Sequence, residues 1–301
     1  MEIRTLCGDR GQALELHWPR GWRERPLLAT LARGATLEVT APAASIWLVL
    51  RGEVELQCRE GRFALGTGEW LYLDRDSLPS VRAGSRALVL GLALSCGLQA
   101  QLQQSAYAPM YPGRGHAPPA ARRMVLGLWR QLWLAAAAEG PDVPRLLTRL
   151  LRALAGLQED CSAKVDRCPG RSLHRRRQVF ARMQGALQYL EGNLDRTVRS
   201  SELAARASMS VWYFTKTFQA VYGEPPQAAS TRLRLAHAAR LLRDGRLAVS
   251  EVGAACGFEN NCSFSRAFRA QFGLPPSLYR IHGGVLPPLQ ANAADMHGQA
   301  G

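Results

Sequence analysis

The last third of the chain carries the same pattern twice. Ser201-Glu202-Leu203-Ala204-Ala205, Phe214-Thr215-Lys216-Thr217-Phe218 and Gly223-Glu224-Pro225-Pro226 are matched by Ser250-Glu251-Val252-Gly253-Ala254, Phe264-Ser265-Arg266-Ala267-Phe268 and Gly273-Leu274-Pro275-Pro276. The offset is 50 at the phenylalanines, glycines and Pro-Pro pairs, and 49 at the upstream Ser-Glu pairs, so the two turns differ in length by one residue. A repeated turn-and-helix unit at nearly constant offset implies two similar heads, each with its own small apolar core.

Each unit predicts a short helix with two unlike faces. Val211, Phe214, Phe218, Val221 and Tyr222 fall at core spacing, while Trp212, Thr215, Lys216 and Gln219 occupy the other face at i, i+3, i+4 and i+7. In the second unit Phe264, Phe268 and Phe272 form the core face, and Asn261, Cys262, Ser263, Arg266 and Arg269 point away from it. Ser210 and Asn260 or Asn261 stand where helix N-caps belong. A helix of this width fits the major groove of duplex DNA, where Arg or Lys bonds guanine O6/N7 and Asn bonds adenine N6/N7.

The charge distribution agrees. The formal net charge is +14, and residues 171–301 hold 17 of the 38 basic and 8 of the 24 acidic residues. Lys164 and Lys216 are the only lysines; the rest are arginines, which suit bidentate contacts to phosphate and guanine. Arg175-Arg176-Arg177 precedes the first long helix of this part and is read as either a solvated run or a phosphate contact.

The two halves differ in pattern. Residues 12–95 predict short strands: Ile46-Trp47-Leu48-Val49-Leu50, Glu53 to Cys58, Phe63-Ala64-Leu65, Trp70-Leu71-Tyr72-Leu73 and Ala87-Leu88-Val89-Leu90, divided by glycine turns. Residues 99–119 read as a Gly/Pro-rich loop. Helices are expected at 122–139 and 143–158, the second with an apolar stripe of Leu147, Leu150, Leu151, Leu154 and Leu157. Residues 160–171, with Pro169-Gly170, read as a polar linker. From Ser172 all is helical: one long helix to about Asn193, then short ones near 200–207, 211–222, 227–244, 250–256, 261–272 and 276–281. The resulting expectation is an α+β chain of two domains. It has a sheet-built domain with following helices at 1–160, a linker at 161–171, an all-α double helix-turn-helix domain at 172–282 and a disordered tail at 283–301.

The residues Gly257 to Arg269, then Phe272-Gly273-Leu274-Pro275-Pro276 and Tyr279-Arg280, closely resemble the C-terminal signature of AraC/XylS-type bacterial transcription regulators. The connecting stretch Arg232 to Leu242 resembles theirs as well, and the likeness covers about residues 175–282. It implies that two recognition helices enter successive major grooves of promoter DNA. The base-reading candidates it gives are Trp212, Thr215 and Lys216 in the first unit and Asn261, Cys262, Ser263 and Arg266 in the second, with Arg269 as a further DNA contact. Gly253 departs from the family's usual Ala, and Cys262 from its usual polar residue.

Trp47 to Leu56 and Leu65 to Leu73 resemble the cupin-like sensor domain that precedes many such DNA-binding domains. The strand spacing indicates a sandwich or a small barrel; the likeness implies a cupin-like β-barrel and a small-molecule effector, and the helices at 122–139 and 143–158 stand where such regulators often carry the interface of a homodimer. Trp18, Trp22, Trp47, Trp70 and Tyr72 are candidates to line a ligand pocket or to fill the core. Leu147, Leu150, Leu154 and Leu157 are the candidate dimer face, or pack on the barrel. No metal site, cofactor or catalytic residue is expected, because His17 is the only histidine of the barrel region and Glu53, Glu55 and Glu69 have no histidine nearby in sequence. The leading expectation is thus a sequence-specific transcription regulator, an activator by resemblance, with RNA polymerase as a further partner. The alternatives are a cupin-type enzyme or a DNA-repair protein carrying a DNA-binding module. The seven cysteines are scattered without a C-x-x-C. The start Met1-Glu2-Ile3-Arg4 leads into no apolar run, and Leu132-Trp133-Leu134 with four alanines is too short to span a bilayer. A cytoplasmic protein is expected.

Overall fold

A computed structural model describes residues 2–16, 25–95 and 109–281. His17, Trp18, Trp22, Cys96, the first part of the 99–119 loop and the 283–301 tail lie outside the described residues. The chain forms two compact units, residues 1–193 with 200–225, and residues 194–199 with 226–301.

The first unit is built on two sheets. One holds β1 (Arg4–Gly8), β3 (Leu27–Ala32), β10 (Leu88–Ser95), β5 (Ala43–Arg51), β8 (Glu69–Leu73) and β11 (Gly113–His116), in that order. The other holds β2 (Ala13–Leu16), β4 (Thr36–Val39), β9 (Ser80–Ala83), β6 (Val54–Cys58) and β7 (Gly61–Leu65). Pairing is antiparallel except between β1 and β3 and between β2 and β4. Among the described residues the architecture is two sheets, neither of which closes on itself.

The strands read in the sequence are β5 to β8 and β10. Central β5 is buried on both faces, whereas β6 alternates buried Val54 and Leu56 with exposed Glu55 and Gln57. Alternate residues of the first sheet feed two cores. Leu27, Leu31, Trp47, Val49, Leu71 and Leu73 meet Leu37, Val54, Leu56, Phe63 and Val81 between the sheets. Ile46, Leu48, Trp70, Tyr72 and Leu92 face the other way, toward α1 (Pro119–Ala137) and α2 (Val143–Gly156).

The stretch expected as a linker carries packed structure. Residues Cys161–Asp166 form α3, and Cys161, Val165 and Cys168 are buried. The long helix α4 (Leu173–Gly192) follows, its N-cap Ser172 accepting from the Arg175 N–H at 3.2 Å. Its C-terminal half lies on the sheets. Gln188 Nε2 donates to the Tyr72 carbonyl at 2.8 Å, and Asn193 Nδ2 to the Glu60 carbonyl at 2.8 Å. Helices α5 (Ser200–Arg206) and α6 (Val211–Tyr222) complete this unit. The second unit contains α7 (Pro226–Asp244), α8 (Val249–Ala255), α9 (Asn261–Phe272) and α10 (Pro276–Ile281). Among the described residues no helix is long and apolar enough to cross a membrane.

Candidate nucleic-acid interface

The two repeats fold alike, and the offsets seen in the sequence are explained. In the α5–α6 turn Ser208 is left-handed at φ 52°; in the α8–α9 turn Gly257 takes that place at φ 70°, an offset of 49. The second turn then runs one residue longer before its helix begins, which moves the offset to 50. A side chain at φ > 0 is uncommon, and glycine relieves that strain in the second unit only.

Capping fixes both recognition helices. Ser210 Oγ accepts from the Tyr213 N–H at 3.3 Å, and Asn260 Oδ1 from the Ser263 N–H at 2.8 Å. Gly223 and Gly273 end the helices in left-handed conformation, and Pro226 and Pro276 begin the next ones. The cores repeat as well. Phe214 and Phe218 have ring centroids 5.6 Å apart, as do Phe264 and Phe268, and all four are fully buried. Truncating any of these phenylalanines to Ala would cost about 3–5 kcal/mol.

With the phenylalanines inward, the other face of each helix is open. Trp212 is 69% exposed, an unusual position for an indole in a folded chain. Lys216 Nζ sits 5.0 Å from its ring centroid, a cation–π contact one turn along the helix. Thr215 is half-buried beside them. On α9, Asn261, Cys262, Arg266 and Arg269 are exposed. Arg266 Nε rests 3.4 Å from the Cys262 carbonyl, which leaves the end of its guanidinium outward. Ser263 differs: it is half-buried and its hydroxyl donates to the Asn260 carbonyl at 2.8 Å, so it braces the helix start.

Arg234, quoted in the sequence only as part of the connecting helix, turns out to lock the second turn. It is buried on α7, donates to the carbonyls of Cys256 at 3.3 Å and Gly257 at 2.9 Å, and stacks 4.5 Å from the Phe258 ring. Burial pulls its guanidinium pKa below the ordinary value. Those carbonyls lie at the C-terminal end of α8, where helix carbonyls lack partners and a cation is favoured. The repeated Glu is used differently in the two units. Glu251 accepts from the Ala248 N–H at 2.6 Å, closing the start of α8, whereas Glu202 accepts from the Tyr189 hydroxyl at 2.5 Å.

The N-terminal candidates do not converge. Trp47 pairs with Leu71 in register, while Ile46 and Leu48 pair with Tyr72 and Trp70. Trp47 therefore points between the sheets, its indole N–H bonded to Ser45 Oγ at 3.0 Å, and Trp70 and Tyr72 point to the opposite layer. All three are buried, Trp47 in the layer between the sheets and Trp70 and Tyr72 together in the other. Leu147, Leu150 and Leu154 are buried against the first sheet, with Leu157 packed beside them, so this stripe is covered within the chain. Glu69 accepts from the Gly66 N–H at 2.7 Å and Arg114 at 2.8 Å. No group of three or more His, Cys, Asp or Glu side chains is placed to hold a metal ion among the described residues.

Known proteins resemble this part of the chain. A helix-turn-helix domain family matches residues 203–281. The chain is 30% identical over 95 residues to the transcriptional activator AarP of Providencia stuartii, covering 32% of this chain and 70% of that protein. It is 32% identical over 109 residues to the transcriptional regulator Rob of Salmonella typhimurium, but spans only 38% of Rob and 35% of itself in doing so. A probable AraC family transcriptional regulator from Rhodopseudomonas palustris, of known structure, is 33% identical over 34% of this chain and 96% of that one, with a TM-score of 0.32. The chain belongs to the AraC-type family of helix-turn-helix regulators, as its signature residues imply.

Proposed function

We propose that this protein is a sequence-specific transcription regulator, an activator, which reads promoter DNA with the outer faces of α6 and α9. One observation carries the reading. Two helices with the same capping geometry and the same phenylalanine core both leave a polar, basic face open. Trp212, Thr215 and Lys216 read one groove, and Asn261, Cys262 and Arg266 the next. Arg269 contacts the backbone. The named relatives are regulators, one of them an activator, which sets the two enzyme readings aside.

The two-sheet unit, in this reading, is a cupin-like sensor for a small-molecule effector, and RNA polymerase is the partner through which activation acts. The protein works in the cytoplasm as a homodimer. Because the Leu147–Leu154 stripe is occupied, its dimer contact is the outward face of α1, where Met124 and Leu134 are 51% and 66% exposed. Pairing two chains would raise the effective concentration of each at a paired site.

Selection of bound duplexes from a random-sequence library by the full chain tests the proposal. The expected result is an enriched motif with two blocks about one helical turn apart. Retention of duplexes without any enriched sequence would overturn it. Sedimentation of Met124→Glu with Leu134→Glu checks the dimer face: a monomer is expected, and an unchanged dimer would rule that face out.

A further inference from the structure

The arginine run in the first turn and a half of α4 plays no part in the reading faces, yet it is the most strongly charged stretch in the chain's second half. Residues 164–182 hold seven basic side chains and one acidic, Asp166. Arg176 Nη1 takes that carboxylate at 3.0 Å. Arg171, Arg175 and Arg177 are exposed, and no carboxylate pairs with them among the described residues.

Folding alone disfavours this arrangement. The N-terminus of a helix carries partial positive charge and favours Asp or Glu in its first turn. Helix α4 has no acid there and instead places Arg175, Arg176 and Arg177 within its first five residues. Three adjacent cations also repel one another. A chain that retains them against both effects has a use for positive charge at this point.

The fold places that charge beside the first reading helix. Arg167 Nη1 reaches the Val221 carbonyl at 3.5 Å in the last turn of α6, and the Tyr222 hydroxyl donates to Gln184 Oε1 on α4 at 2.7 Å. The basic segment is thus pinned at both ends to the C-terminal end of α6. That helix has 12 residues and is therefore about 18 Å long, against a major groove about 12 Å wide. What packs on the end of such a helix stands at the groove wall, where the phosphates run.

We propose that Arg171, Arg175 and Arg177 form a phosphate-binding patch that grips the duplex backbone next to the groove read by α6. The patch extends the footprint past the reading helix on that side and adds affinity without adding sequence preference. The inference rests on the DNA-binding reading above.

The test is the full-length triple variant Arg171→Gln, Arg175→Gln and Arg177→Gln, with binding measured from 50 to 200 mM salt on a library-selected duplex and on random duplex. Loss of three phosphate contacts should flatten the slope of log affinity against log salt by about 2.7, so the wild type loses about 40-fold more than the variant across that range. Affinity at 50 mM should fall on both duplexes alike, and the thermal midpoint should hold or rise, since the helix start has lost its adverse charge. An unchanged slope overturns the patch, as does a loss confined to the selected duplex. Unchanged DNA binding with lost transcriptional output also overturns it, because the partner would then be an acidic protein. Failure of the wild type to bind any duplex at 50 mM would sink the DNA-binding reading itself, a result seen before any variant is made.

Discussion

Two glycines on one helix should respond in opposite ways to the same substitution. Gly185 and Gly192 both lie in α4. A Cβ at Gly185 meets nothing within 4 Å, so Gly185→Ala gains helix propensity alone, about 1 kcal/mol. A Cβ at Gly192 would stand 2.4 Å from the Glu60 carbonyl oxygen and 2.9 Å from Phe63 Cζ, where ordinary contact begins at 3.4 Å. The nearest obstacle is backbone, in the β6–β7 hairpin, and cannot rotate away. Helix and hairpin must part by about 1 Å, which also stretches the 2.8 Å bond from Asn193 to the Glu60 carbonyl beyond hydrogen-bonding range. Overpacking of about 1–3 kcal/mol and about 1 kcal/mol for the bond then outweigh the same propensity gain, for a net loss of about 1–3 kcal/mol. All seven tryptophans lie between Trp18 and Trp212, within the first compact unit, so urea unfolding followed by indole fluorescence reports on this contact. The midpoint should rise for Gly185→Ala and fall for Gly192→Ala. A rise for both would show that α4 does not sit on the hairpin at backbone distance, and the account of the first unit would fail.

Four further outcomes follow. Arg266→Ala should cost about 1–3 kcal/mol on a selected duplex and little on random DNA, by fluorescence anisotropy; equal losses on both would mean a phosphate contact. Arg234→Met strands the Cys256 and Gly257 carbonyls, and should lower the stability of the second unit by about 1–3 kcal/mol in urea melts. Burial pushes the Cys256 thiol up to about 12 from its ordinary 9.0, whereas Cys262 is exposed. Iodoacetamide at pH 8.5 should therefore modify Cys262 and spare Cys256, with bound duplex protecting Cys262, as read by peptide mass mapping. The raised thiol also fixes a sign. Its stabilising effect is whole below pH 9 and is lost as pH climbs toward 12, so the second unit should melt earlier across that window.

How much of this could be read from the sequence depended on whether the deciding interaction was local. The ends of α6 and α9 were legible because Ser210, Asn260, Gly223 and Gly273 act on their own neighbours. Strands β5, β8 and β10 were legible through apolar runs, and β6 and β7 through alternation and the glycine turns around them. Strands β1 to β4, β9 and β11 were not named: all are four to six residues long, and β11 is Gly-Arg-Gly-His, without an apolar side chain. Helix α3 hid in a polar stretch because only its Cys161 and Val165 are buried. The layer each aromatic joins was set by register: nothing local says that Trp47 pairs with Leu71 and so faces away from Trp70. The Leu147–Leu154 stripe illustrates a deeper ambiguity. An amphipathic helix looks the same whether its apolar face covers its own sheet or a second chain, and only the assembled core decides.

The two heads share a scaffold but not a reading chemistry, and this difference bears on the DNA they select. The first presents an indole with a lysine lying over it, Trp212 and Lys216; the second presents an amide, a thiol and a guanidinium, Asn261, Cys262 and Arg266. An indole offers apolar surface of the kind that favours a thymine methyl, whereas a guanidinium favours guanine O6 and N7 and an amide favours adenine. If these faces read bases as proposed, a site that satisfies both heads would not be a direct repeat of one half-site. Its two blocks must differ, and the difference fixes which way round the protein lies on the duplex. Under the proposed function, in which the protein contacts polymerase from one side, that orientation would decide output, and two identical heads could not set it.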